Sequence, residues 1–391
     1  MAGDAGAIDL RIAGTVDETF LSALKALRYD QAAPLTGSPA WLTAWVTQVM
    51  RPCGRDGLFI SGHDAAGRPV LALALEIVQR LGGRVAVSLG ADAFANHAIA
   101  LDPTLAAALD ADAAEALLVE IMRASRQIDA ILLRNVPGDV AGRENPFLGT
   151  RAIRAPNDNF ERSIGPDYAA LYTATFSSRE RRNHARQRRR LDELGDGAAR
   201  LILTSGSDAT HAARTLDTFY AFKAQQLAEI GAPDPFADVQ LRAFYADALA
   251  RAEDAAEQTP LFALLEVAGA PAAVLIGVHE RGRFTTLMSA IGSGPVMRTG
   301  PGEVLLQAVM QTLCARGVTV FDFGPGESAQ KLRWELKPYA LYDRALVLRA
   351  RAWPAVAMAL SATWLRRRAK AKRGTYALLF RARAFLFGRR R

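Results

Sequence analysis

The residues best suited to chemistry lie close together in the last third of the chain. Gly300-Pro301-Gly302 is followed at once by Glu303 and Val304, and then by Phe321-Asp322-Phe323-Gly324, Glu327 and Lys331. A strand that hands over to a helix through Gly300 and Gly302 exposes amide hydrogens at the helix start, and these attract phosphate. Pro301 has no N–H, so Gly302, Glu303 and Val304 are the candidate donors to the pyrophosphate of a nucleotide. Glu303 suits the positive end of a helix but would repel phosphate if turned inward, so its carboxylate is expected to point away. The same string also fits an ordinary Pro-Gly turn before a helix. Asp322 and Glu327 are the nearest acids. Asp322, between two aromatics at a strand end, fits a buried base or a turn cap equally well. Lys331 fits a ligand for phosphate or another anionic group, or a solvated surface lysine.

The segments around these residues set where they stand. From Ala199 the pattern predicts a short strand, two helices at about 208–229 and 239–251, and three strand-like runs, LFALLEVA, AAVLIGVHE and RFTTLMSAI. Tight connections at Gly269-Ala270-Pro271 and Arg281-Gly282 make those runs an antiparallel meander. A helix through VLLQAVMQTL ends at Gly317, VTVFDFG is a further strand, and a short helix SAQKLRWEL precedes the strand ALYDRALVLRA. The amino-terminal half repeats the plan: AIDLRIAG, two helices, the strands GLFISGH, PVLALALEIV and GRVAVSLG, a long helix to Arg126, and IDAILLRNV. Matching order over both halves predicts an internal duplication, with domains at 1–155 and 156–350 and a tail at 351–391. In the first copy the loop with Asp92, Asn96 and His97 takes the place of the Gly300 turn, which makes these three candidate contacts to an acceptor across a domain interface.

Bulk properties narrow the function. The net charge is +8 over 391 residues, yet Arg344 to Arg391 holds fourteen Arg and Lys and no acid, leaving the rest of the chain at −6. The basic excess therefore belongs to the tail, where apolar clusters alternate with arginines as on a membrane-surface segment, or as on a packing helix with a loose end. A second basic cluster, Arg179 to Arg190, lies in a helical arm at 166–196 and lacks the interleaved aromatics that stack bases, so nucleic acid is the weaker expectation. A surface helix held down by Phe176 and Leu191 is favoured. The two cysteines, Cys53 and Cys314, have no thiol or histidine cluster nearby, which predicts buried free thiols and no metal site. No run is long and apolar enough to span a bilayer and MAGDAGAIDL is no signal peptide, so a cytoplasmic chain is expected, with contact at the anionic inner membrane face through 351–391.

The segments SPAWLTAW, SSRERRNHARQRRRLDELG and GPGEVLLQAVMQTLCARGVTVFDFGPGESAQKLRW resemble GNAT-type acetyltransferases associated with cellulose and exopolysaccharide biosynthesis, relatives of the FemAB transferases. Pro301-Gly302, the Phe-Asp-Phe-Gly strand end, Gly326, Lys331 and Trp334 match that family's pattern, while Gln330 stands where a Tyr is usual. The resemblance implies an α/β fold of tandem GNAT-like domains, mixed sheets flanked by helices, with acetyl-CoA or another acyl-CoA as co-substrate. It implies pantetheine lying along the exposed main chain of Thr286, Met288 and Ala290, and the pyrophosphate at Gly300, Gly302, Glu303 and Val304. Asp322, Glu327 and Lys331 are then the catalytic candidates, and Trp334 joins Asp92, Asn96 and His97 at the acceptor. The implied reaction is N-acylation of an amino sugar or similar small amine. Aminoacyl transfer from a charged transfer RNA, or a non-catalytic scaffold in a polysaccharide system, are the alternatives.

Overall fold

The computed structural model describes residues 8–28, 35–91, 93, 99–140, 142–195, 199–206, 208–254 and 258–371. They fall into two compact units, one of residues 8–159 and 339–371 and one of residues 160–338.

The first unit opens with β1 (Asp9–Ala13), α1 (Glu18–Leu27) and α2 (Pro39–Trp45), the last extended by a π-helical turn, Val46–Met50. Asp17 and Ser38 cap the two helices, accepting the N–H of Phe20 and Trp41, and Pro39 takes the first helical position. The strands β2 (Asp56–His63), β3 (Pro69–Arg80) and β4 (Gly83–Ser88) pair antiparallel, with β5 (Ala100–Leu101) added to β3. The expected long helix is two, α3 (Pro103–Ala108) and α4 (Ala111–Ser125), because Asp102 and Asp110 each cap a fresh start. Then come β6 (Ala130–Pro137), parallel to β4, the hairpin of β7 (Asp139–Val140) and β8 (Arg143–Glu144), and β9 (Ile153–Arg154).

The second unit repeats this wiring. It holds β10 (Asn159–Ser163), α5 (Tyr168–Thr175), α6 (Ser178–Leu194), β11 (Arg200–Ser205), α7 (Ala209–Glu229) and α8 (Val239–Asp254). The meander is β12 (Gln258–Val267), β13 (Ala270–Glu280) and β14 (Arg283–Ile291), followed by α9 (Pro301–Ala315), β15 (Val320–Pro325), α10 (Ala329–Arg333) and β16 (Lys337–Tyr339). Its sheet runs β11-β12-β13-β14-β15-β10-β16. In both units a four-strand antiparallel run ends in a strand with a parallel neighbour, β4 beside β6 and β14 beside β15. The turns before those strands also match: Leu81-Gly82 and Arg281-Gly282 both have positive φ at each residue, as the two-residue hairpin turn requires. The duplicated α/β plan is confirmed.

The core of the second unit follows from period matching. Leu261, Ala263 and Leu265 alternate along β12, and Leu305, Val309 and Leu313 recur at four-residue spacing on α9, so strand and helix present one apolar face each. Phe284 of β14 and Phe321 of β15 stack with ring planes 9° apart, tying the parallel pair together.

After β16 the chain re-enters the first unit as β17 (Leu341–Val347) and α11 (Trp353–Ala371). There β17 pairs antiparallel with β6 and β9, giving the order β1-β2-β3-β4-β6-β17-β9. The strand ALYDRALVLRA was expected to close the second domain at 350; its partners lie instead in the first, a pairing no local pattern encodes. Asp129, fully buried, accepts from the Arg84 amide and from the guanidinium groups of Arg349 and Arg351, fastening the start of α11 to β4. Cys314 is buried as expected, but Cys53 is exposed, since it lies in the polar turn after the π-helical segment. Among the described residues no helix is long and apolar enough to cross a membrane.

Candidate active site

The parallel pair β14 and β15 is short. Arg283, Phe284 and Thr285 lie opposite Val320, Phe321 and Asp322, and the ladder stops there. Just past that ladder lies a bulge: Gly277 faces Thr286 while Ile276 faces Met288, so β14 carries one extra residue, Leu287, and bends. Beyond Thr285 the side of β14 that faced β15 is main chain without a strand partner. The side chains of Met288 and Ala290 are buried, so that stretch offers its backbone.

Thr286, at the fork, is 8% exposed, and its hydroxyl has no hydrogen-bond partner among the described residues. The first unit shows what closes such a fork. By register Val87 opposite Leu132 corresponds to Thr285 opposite Asp322, so Ser88 matches Thr286 and Arg134 matches Gly324. Ser88 Oγ accepts the Arg134 N–H at 2.9 Å and ties its two strands together. In the second unit the Gly324 N–H is taken by Asp322 Oδ1 at 2.8 Å. Thr286 is left without that donor.

The helix start is also open. Gly300, at φ +75°, precedes α9 without a capping side chain, and its position is covered by Gln187 of α6, whose amide nitrogen lies 2.7 Å from where a Cβ would be. The amides of Glu303 and Val304 both donate to Gly300 O, at 3.1 and 3.3 Å, which leaves Gly302 as the first-turn donor. That corrects the three-donor expectation. In the first unit the helix that leads into β6 is α4, and there Asp110 fills the corresponding role with its own carboxylate, accepting the Ala113 N–H at 2.8 Å.

Glu303 is buried and held inside the unit: its carboxylate accepts from Trp334 Nε1 at 3.0 Å, with Gln307 and Gln330 at 3.3 and 3.5 Å. Trp334 itself is 1% exposed and packs edge-on to Phe176, so it buttresses α9 instead of reaching an acceptor. Asp322 is buried, with Oδ2 3.3 Å from Arg283, which also binds Glu161 at 2.7 Å. It therefore works as the turn cap and an ion-pair member. Lys331 is no surface lysine: it is buried, donates to the carbonyls of Gly324 and Pro325 at 2.7 and 2.9 Å, and lies over the rings of Phe160 and Phe323. Glu327 is exposed beyond the strand end. Asp92, Asn96 and His97 lie outside the described residues.

Several contributors carried no sequence signal. Arg283, Glu161 and Gln187 reach the site from separate elements. Tyr172 of α5 and His184 of α6 meet through their OH and Nδ1 at 2.8 Å, and burial holds the imidazole below its usual range against the opposing pull of Glu303. Burial also raises Tyr172, with Glu303 adding to it. The arm α6 is started by a capping box between Ser177 and Glu180 and held by buried His184 and Leu191, with Phe176 buried just before it. Among the described residues no group of three His, Cys, Asp or Glu is placed to hold a metal ion.

Residues 178–333 match the model of a family described as an acetyltransferase (GNAT) domain. The match covers less than half of the chain, and over that stretch the chain is similar to a GNAT acetyltransferase domain. The match spans the arm, the meander, the fork and α9, so the segment similar to that domain coincides with the unit whose fork is open. No curated protein sequence matches the chain. Among solved structures, FemX shares 11% identity over 86% of this chain and 97% of its own, with a TM-score of 0.56. A conserved protein of unknown function from Bacteroides thetaiotaomicron VPI-5482 shares 10% over 87% and 100%, with a TM-score of 0.50. These are likenesses of fold.

Proposed function

We propose that the GNAT domain transfers an acyl group from acyl-CoA to the amine of a small acceptor, an amino sugar or similar envelope or polysaccharide precursor. The carrying observation is the fork between β14 and β15, with an unpartnered main-chain edge, a buried hydroxyl lacking a partner at Thr286, and an uncapped helix start at Gly302. An extended pantetheine arm would add to that edge as a strand does, and pyrophosphate would meet the Gly302 amide. Acyl-CoA brings the activated thioester. The chain's own groups orient the acyl carbonyl on β14, exclude water through the packed faces of α6 and α9, and hold the strand end through Lys331 and Asp322. The acceptor class rests on the resemblance of the Pro301-Gly302 and Phe-Asp-Phe-Gly motifs.

Titration calorimetry with acetyl-CoA and longer acyl-CoAs, followed by mass spectrometry of glucosamine-type acceptors, tests this. Binding with transfer is expected; absence of binding by every acyl-CoA would end the proposal, and binding without transfer to any amine would point to the scaffold role. A second donor, a charged transfer RNA, is favoured by one observation: Arg179, Arg182, Arg186, Arg188, Arg189 and Arg190 are all exposed on α6. Tight, steeply salt-dependent RNA binding with no acyl-CoA binding would select it.

A further inference from the structure

We propose that α11 lies on an anionic lipid surface, with the face defined by Trp353, Met358, Trp364 and Leu365 inserted among the headgroups. The thirteen residues from Trp353 to Leu365 contain no charge. At 3.6 residues per turn these four, with Ala357 and Arg368, fall within an arc of about 140°. The opposite side of the helix, through Ala355 and Val356, packs on Val85, Val87 and Leu132 of the first unit's sheet. Trp353, Met358, Trp364 and Leu365 are 58, 48, 51 and 50% exposed. Only ten large apolar residues are so exposed among those described, and four of them share this one face. That concentration marks a contact surface.

Charge identifies the occupant. Arg366, Arg367, Arg368 and Lys370 follow the apolar stretch, Arg368 lies 4.7 Å above the Trp364 ring, and no acid occurs from Arg344 to Arg391. A second copy of the helix, or residues 372–391, would bring like charges together, whereas a bilayer rich in acidic lipid takes both the tryptophans and the cations. The helix rests on the bilayer and does not cross it, since the apolar arc is one-sided.

Intrinsic fluorescence is a direct test on the full chain. Of five tryptophans, Trp41, Trp45 and Trp334 are buried, so Trp353 and Trp364 report. Vesicles of equal parts phosphatidylcholine and phosphatidylglycerol should shift the emission to the blue, phosphatidylcholine alone should not, and added salt should weaken the effect. Trp364→Ser combined with Leu365→Ser, both at exposed positions, should lower vesicle affinity about tenfold or more. Unchanged affinity in that variant, or no shift with anionic vesicles, overturns the proposal. So does a dimer in light scattering that the variant dissociates, which would make a second copy the occupant. Acrylamide that quenches no tryptophan in the lipid-free monomer would likewise overturn it, in favour of residues 372–391.

Discussion

Replacing Thr286 with Val separates stability from ligand binding. The hydroxyl is buried at 8% exposure without a partner, and leaving a buried polar group unsatisfied costs about 1–3 kcal/mol. Valine keeps the β-branched shape and removes the hydroxyl, so the ligand-free protein should gain about 1–2 kcal/mol, or about 2–8 °C in the unfolding midpoint for a unit of this size. If the hydroxyl serves the acyl-CoA bound at the fork, losing one hydrogen bond of about 1 kcal/mol should weaken affinity about threefold to tenfold. The first unit supplies the control with the opposite sign. Ser88 Oγ accepts the Arg134 amide, so Ser88→Ala should destabilise by about 1–2 kcal/mol and leave acyl-CoA affinity unchanged. Differential scanning calorimetry and titration calorimetry on the same preparations read both quantities. A Thr286→Val protein that melts no higher than wild type and binds acyl-CoA equally well would refute the reasoning.

Asp322→Asn keeps an acceptor for the Gly324 amide and should retain acyl-CoA binding and most turnover, whereas Asp322→Ala frees that amide for Thr286 and should weaken binding; a general base would lose turnover about equally in both, as steady-state kinetics would show. Lys331→Met should lower the melting point of the ligand-free protein by about 1–3 kcal/mol of stability, since two charge-assisted bonds to carbonyls are lost while a buried cation is relieved. A phosphate ligand would instead leave stability intact and reduce only acyl-CoA affinity. His184 has a folded pKa held below its ordinary value of about 6.5, chiefly by burial. The unfolded chain therefore takes up the proton first, and the stability tied to neutral His184 is complete above about pH 6.5 and declines below it. In a series of melts against pH, His184→Gln should flatten that decline.

Much of the fold was legible because period and punctuation agreed. The meander could be read from alternating apolar runs cut by Arg281-Gly282, and the start of α9 from Gly300-Pro301-Gly302. Position 317 ended α9 as read, with Gly317 at φ +73°. The home of β17 was not legible: its alternation says strand and nothing says which sheet. The roles of Lys331 and Trp334 were equally hidden. A lysine close to Gln330 and Arg333 reads as solvated until Phe323, the Gly324 and Pro325 carbonyls and the sequence-distant Phe160 converge on it. The bulge beside the fork rests on a single extra residue, Leu287, that leaves the hydrophobic pattern of β14 nearly unchanged.

The two units have the same wiring, and the difference between an open and a closed fork comes down to which acceptor takes one amide. In the first unit the amide of Arg134 bonds a hydroxyl on the neighbouring strand, so the pair is stitched one step past its ladder, and Asp110 fills the helix start with its own carboxylate. In the second, Asp322 turns back on its own strand to take the Gly324 amide, and Gly300 caps α9 with no side chain at all. Each difference leaves a polar group without an internal partner among the described residues, which makes it available to a ligand. On this reading the Asp322→Ala and Asp322→Asn pair is the deciding comparison: if Asp322 withholds the Gly324 amide from Thr286, only the alanine should close the fork.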